Sequence, residues 1–176
     1  MKVLLHICCA PCSIYVVRQL REEEKEVLGW FYNPNIHPYT EFLKRLTTLE
    51  NYAKVLLLPL MIDKEYDLED FLRGTLDQGK DRCLFCCRMR LEKAFLKGSE
   101  MGVDCVTTTL LYSKYQRHEE IKTIGEELSR KHGIDFLYRD FRKGWKDGVE
   151  ESKALNMYRQ PYCGCIFSEK ERFRRE

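Results

Sequence analysis

Residues 2–13, Lys2-Val3-Leu4-Leu5-His6-Ile7-Cys8-Cys9-Ala10-Pro11-Cys12-Ser13, set the frame for the whole chain. The first half is a short apolar run, the pattern of a strand buried on both faces. Directly after it, "IYVVRQLREE" places Ile14, Val17 and Leu20 at helical spacing. A buried strand that turns into a helix is the building unit of parallel sheets. Here the turn between them carries Cys8, Cys9 and Cys12.

The same alternation continues along the chain. "VLGWFYN" (27–33) reads as a second strand, closed by the turn-forming Asn33-Pro34-Asn35. "YTEFLKRLTTLENYAKVL" (39–56) is an amphipathic helix with Phe42, Leu46, Leu49, Tyr52 and Ala53 on one side. "LLLPLMID" (56–63) is a third strand candidate, where Pro59 argues for a strand end or an irregular edge. A helix over 66–79 leads into a glycine-containing loop, and "CCRMRLEKAFLKGSEMG" (86–102) forms another helix that stops at a glycine. "DCVTTTLLY" (104–112) is a β-branched strand, and "HEEIKTIGEELSRKHG" (118–133) is a helix ended by Gly133. "IDFLYRDF" (134–141) is the fifth strand, and "VEESKALNMYR" (149–159) the last helix. The loop "QPYCGCIFS" and the basic tail "EKERFRRE" (169–176) close the chain.

This pattern predicts an α/β protein: a single-domain, Rossmann-like three-layer sandwich over residues 1–176, with a mostly parallel five-stranded sheet and right-handed crossovers. In such sheets the ligand sits beyond the carboxyl ends of the strands. The residues that fall there are Cys8 to Cys12, Asn33 to Asn35, Tyr112 to Lys114, and Arg139-Asp140.

Composition narrows the function. Hydrophobic residues make up 44% of the 176, enough for a core, and a net charge of +2 gives no bulk basic signal for nucleic acid. Any RNA-binding surface must therefore be local. No apolar run approaches a membrane span, and "MKVLLHICC" is too short for a signal peptide, so a cytoplasmic protein with no membrane partner is expected. Nine cysteines in a reducing compartment point to metal or redox chemistry rather than to disulfides.

Eight of the nine cysteines form clusters: Cys8, Cys9 and Cys12; Cys83, Cys86 and Cys87; Cys163 and Cys165. Cys105, alone in a strand, reads as a small buried hydrophobe. Cys9-x-x-Cys12 by itself also suits a thioredoxin-like redox pair, but that leaves the other clusters unexplained. A structural zinc site needs only four ligands. Four thiolates for a cubane iron–sulfur cluster leave four more. If Cys87 points into its own helix, three remain to hold a second metal with an open position, which a catalytic metal requires.

"HICCAPCS", "FYNPNIHP", "RCLFCCRMRLEKA", "TTTLLYSKYQ", "FLYRDFR" and "YRQPYCGCIFS" occur in one order across nearly the whole chain. Together they resemble the cobalamin-independent epoxyqueuosine reductases. The resemblance implies the last step of queuosine biosynthesis in tRNA: the epoxide on a cyclopentane attached to a 7-deazaguanine is reduced to the alkene. It further implies a 4Fe-4S cluster with an adjacent mononuclear iron, no cobalamin, and an external ferredoxin- or flavodoxin-like electron donor. The matching metal ligands are Cys8, Cys9, Cys12, Cys83, Cys86, Cys163 and Cys165, and spacing does not say which four hold the cluster. Cys87 departs from the aromatic residue expected of relatives at that position.

Losing an epoxide oxygen as water consumes two electrons and two protons, whereas a cubane cluster delivers one electron at a time. A second metal, polarising the epoxide oxygen, or two successive reductions is therefore expected. Besides Cys9 and Cys12, the candidates for catalysis are Tyr112, Tyr162 and Asp140 as proton donors; beside Arg139, Asp140 reads equally as an ion-pair partner. Asn33 and Asn35 are candidates for a nucleobase or ribose, or simply turn residues. Ser113 and Arg139 are further substrate candidates, and Arg142, Lys143 and Lys146 in "RKGWK" suit phosphates beside an aromatic. His6 is expected to be a satisfied core histidine, and His37 and His118 to lie at the surface. Two rivals remain. An ATP-dependent tRNA sulfur transferase would need a glycine-rich phosphate loop where this chain has "CCAPCS", so no ATP is expected. A zinc-stapled RNA-binding module would need no open metal position.

Overall fold

The computed structural model describes residues 1–174. Arg175 and Glu176, the end of the basic tail, lie outside the described residues. Strands β1 (Lys2–His6), β2 (Glu26–Phe31), β3 (Leu60–Ile62), β4 (Cys105–Thr108) and β5 (Asp135–Phe136) form one sheet in the order β3-β2-β1-β4-β5. Every pairing is parallel, so the sheet is wholly rather than mostly parallel. Its centre is apolar on both faces: Val3, Leu4, Leu5, Phe31 and Val106 are buried completely.

Helices α1 (Ala10–Glu22) and α2 (Tyr39–Val55) are the crossovers that carry the chain from β1 out to β3. α1 packs against α2 and against α6 (Trp145–Ala154). Helices α4 (Arg82–Met101) and α5 (His118–His132) carry the chain the other way, pack on each other, and hold α3 (Leu68–Leu76) against α4. Right-handed crossovers running in opposite directions from the centre put the two helix sets on opposite faces. The reversal falls between β1 and β4, and the crevice at their carboxyl ends is the switch point of the sheet. Cys8 follows β1 there and Thr109 follows β4, with the Cys8 amide donating to the Thr109 hydroxyl at 3.0 Å.

Several boundaries differ from the sequence expectation. α1 begins at Ala10, four residues before the apolar spacing at Ile14 marks it; Pro11 sits in its first turn and Ser13 is buried, donating to the Ala10 carbonyl at 2.8 Å. Proline suits a first turn, where its missing N–H costs nothing. The basic tail is not simply a tail, because Ile166–Phe173 forms helix α7, whose start is held by Ser168 N–H donating to Cys165 Sγ at 3.4 Å. This helix has no buried residue. His37 and His118 are buried, not at the surface. His37 Nε2–H donates to the Pro34 carbonyl at 3.0 Å, and His118 Nε2 meets the Tyr138 hydroxyl at 3.1 Å. His6 is the satisfied core histidine expected, with Nδ1 at 2.8 Å from Thr108 Oγ1 and Nε2 at 3.0 Å from the Tyr32 carbonyl.

Candidate active site and metal centre

The thiols converge at the carboxyl end of the sheet in two sets. In the first, the sulfurs of Cys8, Cys9 and Cys12 all lie within 4.8 Å of one another. Cys8 Sγ also lies 3.2 Å from the Thr109 hydroxyl, and Gln160 Nε2 donates to Cys9 Sγ at 3.0 Å. Hydrogen bonds from the Cys12 and Cys9 thiols, with the Thr109 hydroxyl, hold Cys8 well below the ordinary thiol range. Donation to Cys8 and Cys9 and burial push Cys12 up. For Cys9 the bond from Cys12 favours the thiolate, but its own bond to Cys8 and burial outweigh that and raise it. The trio therefore concentrates its anionic character on Cys8, and a bound metal ion would displace the remaining protons.

The second set surrounds a small neighbouring cavity lined by Cys83, Cys86 and Cys87 from the start of α4 and by Cys163 and Cys165 from the loop before α7. Burial raises Cys86, while Arg90 opposes the shift. Burial also raises Cys83, with Cys163 and Cys165 adding to it, which reports how closely the two segments approach. The two sets share a wall made by Arg90, Gln116 and Cys163, which line both this cavity and a larger one of about 500 Å³. Cys8 and Cys12 open onto the larger cavity.

Two arginines are buried against the thiols, each only 2% exposed. Arg90 donates to the Cys86 carbonyl at 3.3 Å. Burial opposes its charge, but the sulfurs of Cys86, Cys87, Cys163 and Cys8 more than compensate, so its guanidinium is held above the ordinary range. Arg45 pairs with Glu41 at 2.7 Å and donates to the carbonyls of Cys163 (2.8 Å) and Tyr162 (3.1 Å). It thereby clamps the C-terminal cysteine loop onto α2. Tyr158 adds a hydrogen bond to Glu41, Tyr162 donates to the His37 carbonyl, and the His37 amide donates to the Gly164 carbonyl at 2.8 Å. Gly164, with φ of 150°, is needed between the two cysteines: a Cβ there would come within 3.0 Å of Asn35 Nδ2 and 3.3 Å of Arg45 Nη1.

This thiol arrangement can be set beside known proteins. Residues 3–171 match the family model described as epoxyqueuosine reductase QueH. The chain belongs to the epoxyqueuosine reductase QueH family. It is accordingly an oxidoreductase. The epoxyqueuosine reductase QueH of Dehalococcoides mccartyi is 33% identical over 172 residues, covering 98% of this chain and 94% of that protein. That of Thermotoga maritima is 35% identical over 180 residues, covering 97% and 91%. Among solved structures, a predicted subunit of tRNA methyltransferase from Methanocaldococcus jannaschii superposes with a TM-score of 0.61 at 12% identity, covering 87% of this chain and 74% of that one. That likeness is one of fold.

Not all sequence candidates meet in this QueH-family site. Tyr112, Ser113 and Tyr162 line the larger cavity. Tyr112 is buried, donates to the Trp145 carbonyl at 3.1 Å, and is held protonated by burial and by the nearby Cys12 and Cys9. Tyr162 is pushed up to about 12, chiefly by burial, and its hydroxyl is engaged by the His37 carbonyl. Asn33 is buried, donating to the Ile7 carbonyl at 2.9 Å, so it ties the turn to β1; Asn35 lines the small thiol cavity. Arg139, Asp140, Arg142 and Lys143 are not among the residues of either cavity wall. Asp140 receives three bonds from Arg142, two from its guanidinium at 2.8 and 2.7 Å and one from its amide at 3.1 Å, which hold its carboxyl at about 2; Arg139 pairs instead with Glu23 at 3.2 Å.

Arg45, Arg90, Gln116, Gln160, Arg159 and Arg172 stand at these cavities or hold their walls and are not among the residues expected from the sequence. For the two buried arginines a signal existed. Arg45 falls on the stripe of Phe42, Leu46, Leu49, Tyr52 and Ala53, and Arg90 on that of Cys86, Cys87, Leu91, Ala94 and Phe95. A charged residue inside an apolar helical stripe must find a partner, because an unpaired buried charge is too costly.

The position of Tyr112 depends on α6. A Cβ at Gly148 would overlap the Tyr112 hydroxyl. Gly148→Ala is expected to displace that hydroxyl from the Trp145 carbonyl, to cost about 1–3 kcal/mol of stability from overpacking, and to slow turnover. Thermal melting and a turnover assay check this; a parental melting temperature would show that α6 yields without strain.

Proposed function

We propose that this chain reduces the epoxycyclopentane of epoxyqueuosine in tRNA to the alkene of queuosine, with two electrons and two protons taken up and the oxygen leaving as water. The observation that carries the proposal is the placing of Cys8, Cys9 and Cys12 and of Cys83, Cys86, Cys163 and Cys165 at two adjoining cavities that share a wall, in a chain of this family. A cytoplasmic location agrees with cysteines that are all free. No helix among the described residues is long and apolar enough to cross a membrane.

The donor set fits two metal groups of different size. Thiolates on one tetrahedral ion with metal–sulfur bonds of roughly 2.3 Å stand about 3.8 Å apart. In the first set the Cys8 and Cys9 sulfurs, at 3.8 Å, have that spacing, and all three sulfurs lie within 4.8 Å of one another. We therefore assign the mononuclear iron to Cys8, Cys9 and Cys12. The 4Fe-4S cluster goes to Cys83, Cys86, Cys163 and Cys165, whose sulfurs ring a cavity instead of touching. Once bound, the cluster would supply electrons singly and the ion an open Lewis-acid position.

The chain's own residues then have distinct tasks. Arg45 and Arg90 offset the negative charge of the thiolates from within the core. Gln160 and Gln116 donate to Cys9 and Cys163, at 3.0 and 3.3 Å. Tyr112 keeps its proton at neutral pH beside Cys12 and is the candidate donor for the leaving oxygen. Arg159 and Arg172 line the cavity and suit tRNA phosphates. Cys83 and Cys163 are exposed, within reach of an external ferredoxin- or flavodoxin-like carrier.

The test is anaerobic reconstitution with iron and sulfide, then incubation of epoxyqueuosine-containing tRNA with a reductant. Nucleoside mass analysis is expected to show conversion to a product lighter by one oxygen. Iron-loaded, reduced protein that leaves the epoxide intact would overturn the proposal, and a colourless protein binding only zinc would favour the RNA-binding module.

A further inference from the structure

Tyr115 is 87% exposed, and among the described residues it is the one strongly exposed large apolar side chain on the wall of the 500 Å³ cavity. It is held there by a turn after β4. The Tyr115 amide donates to Ser113 Oγ at 3.3 Å, and the Gln116 amide donates to the Ser113 carbonyl at 3.3 Å. The ring stands edge-on to Trp145, with centroids 5.5 Å apart and planes at 81°. Trp145 in turn packs on buried Tyr112 at 5.2 Å. Three aromatics of the cavity wall thus pack in a row, and of them only Tyr115 is exposed. The same turn carries Gln116, whose amide reaches Cys163. Arg159 and Arg172 line this cavity and make no ion pair among the described residues.

We infer that Tyr115 is the stacking platform for the nucleobase of the target nucleotide, a purine-like ring drawn out of the RNA stack at the mouth of the cavity. The inference rests on the proposal that the substrate is a nucleotide within tRNA. With the base lying on Tyr115, its ring substituent points inward toward Cys8 and Cys12, and the flanking phosphates fall to Arg159 and Arg172. Enzymes that act on a base must take it out of its stack, and an aromatic face compensates for the lost neighbours whatever the base. An exposed tyrosine at a loop tip is otherwise unremarkable. Its support by Trp145 and its place at the entrance to the thiols single it out.

Equilibrium binding measured anaerobically without reductant tests this, using the protein, Tyr115→Ala and Tyr115→Phe. The probes are tRNA carrying epoxyqueuosine and the same tRNA with an abasic nucleotide at that position. Tyr115→Ala is expected to weaken binding of the intact tRNA by about tenfold, within the range that losing one base–aromatic stack produces. Tyr115→Phe should bind like the parent, and on the abasic tRNA all three should bind alike. Parental affinity of Tyr115→Ala for the intact tRNA, or an equal loss on the abasic one, overturns the platform. Because no turnover is needed, the outcome is separate from the reductase assay: an unreduced epoxide with base-dependent weakening would sink the reaction and leave the platform standing. The parent's side-chain exposure at Tyr115 makes a folding defect an unneeded explanation, and melting curves of the variants check it.

Discussion

Cys86→Ser protein, reconstituted anaerobically with iron and sulfide, is expected to lack the brown iron–sulfur chromophore, whereas Cys12→Ser protein keeps it and lacks only the additional iron. Both are expected to lose turnover. The difference follows from where the sulfurs stand. Cys86 lies on the small cavity shared by the α4 and C-terminal thiols, and Cys12 belongs to the tight trio after β1. A serine hydroxyl is a far poorer ligand for a soft site at neutral pH than a thiolate, so each substitution is expected to empty its own half of the proposed centre. Cys163→Ser should behave like Cys86→Ser, and Cys9→Ser like Cys12→Ser. Cys87→Ala, at the departure from the expected family pattern, should retain both colour and iron. Iron and sulfide analysis with the visible spectrum decides the matter. Loss of the chromophore in Cys12→Ser with retention in Cys86→Ser would reverse the assignment.

Arg45→Met is expected to produce the second large effect, a loss of about 3–5 kcal/mol in stability, as when one partner of a buried ion pair is removed. Glu41 would be left charged in the core, with the Tyr158 hydroxyl as its remaining partner. The carbonyls of Tyr162 and Cys163 would lose their donor, and the loop that carries two of the thiols would lose its clamp. Urea denaturation measures the first consequence, and amide hydrogen exchange over residues 160–166 of the metal-free protein measures the second. The double variant Glu41→Leu, Arg45→Met separates them. Stability should largely return, because no charge is stranded, while exchange in the loop stays fast. If the single variant is as stable and as protected as the parent, Arg45 does not hold the loop.

These two experiments also mark how far the sequence could be read. The five strands and the helices between them were legible because a parallel sheet covered on both faces needs short apolar runs alternating with 3.6-residue stripes. The departures came elsewhere. α7 buries nothing, and the start of α1 is set by Pro11 rather than by a polar cap. His37 and His118 sit in polar stretches yet are enclosed by elements from elsewhere in the chain, which local composition does not register. The ion pair of Asp140 with Arg142, two residues away, is a matter of side-chain geometry and not of order along the chain.

By itself the sequence determined the α/β alternation, the thiol clusters at strand ends and in the last loop, and the family pattern they compose. Only the tertiary structure decided which thiols face which, where the two buried arginines stand, and which tyrosine is left open at the cavity mouth. The physical reason is that periodicity tells a residue which side to bury, but not what it will meet there. Cys8, Cys86 and Cys163 become neighbours because β1, α4 and the loop clamped by Arg45 are brought to one end of one sheet, and that approach is a property of the packed chain.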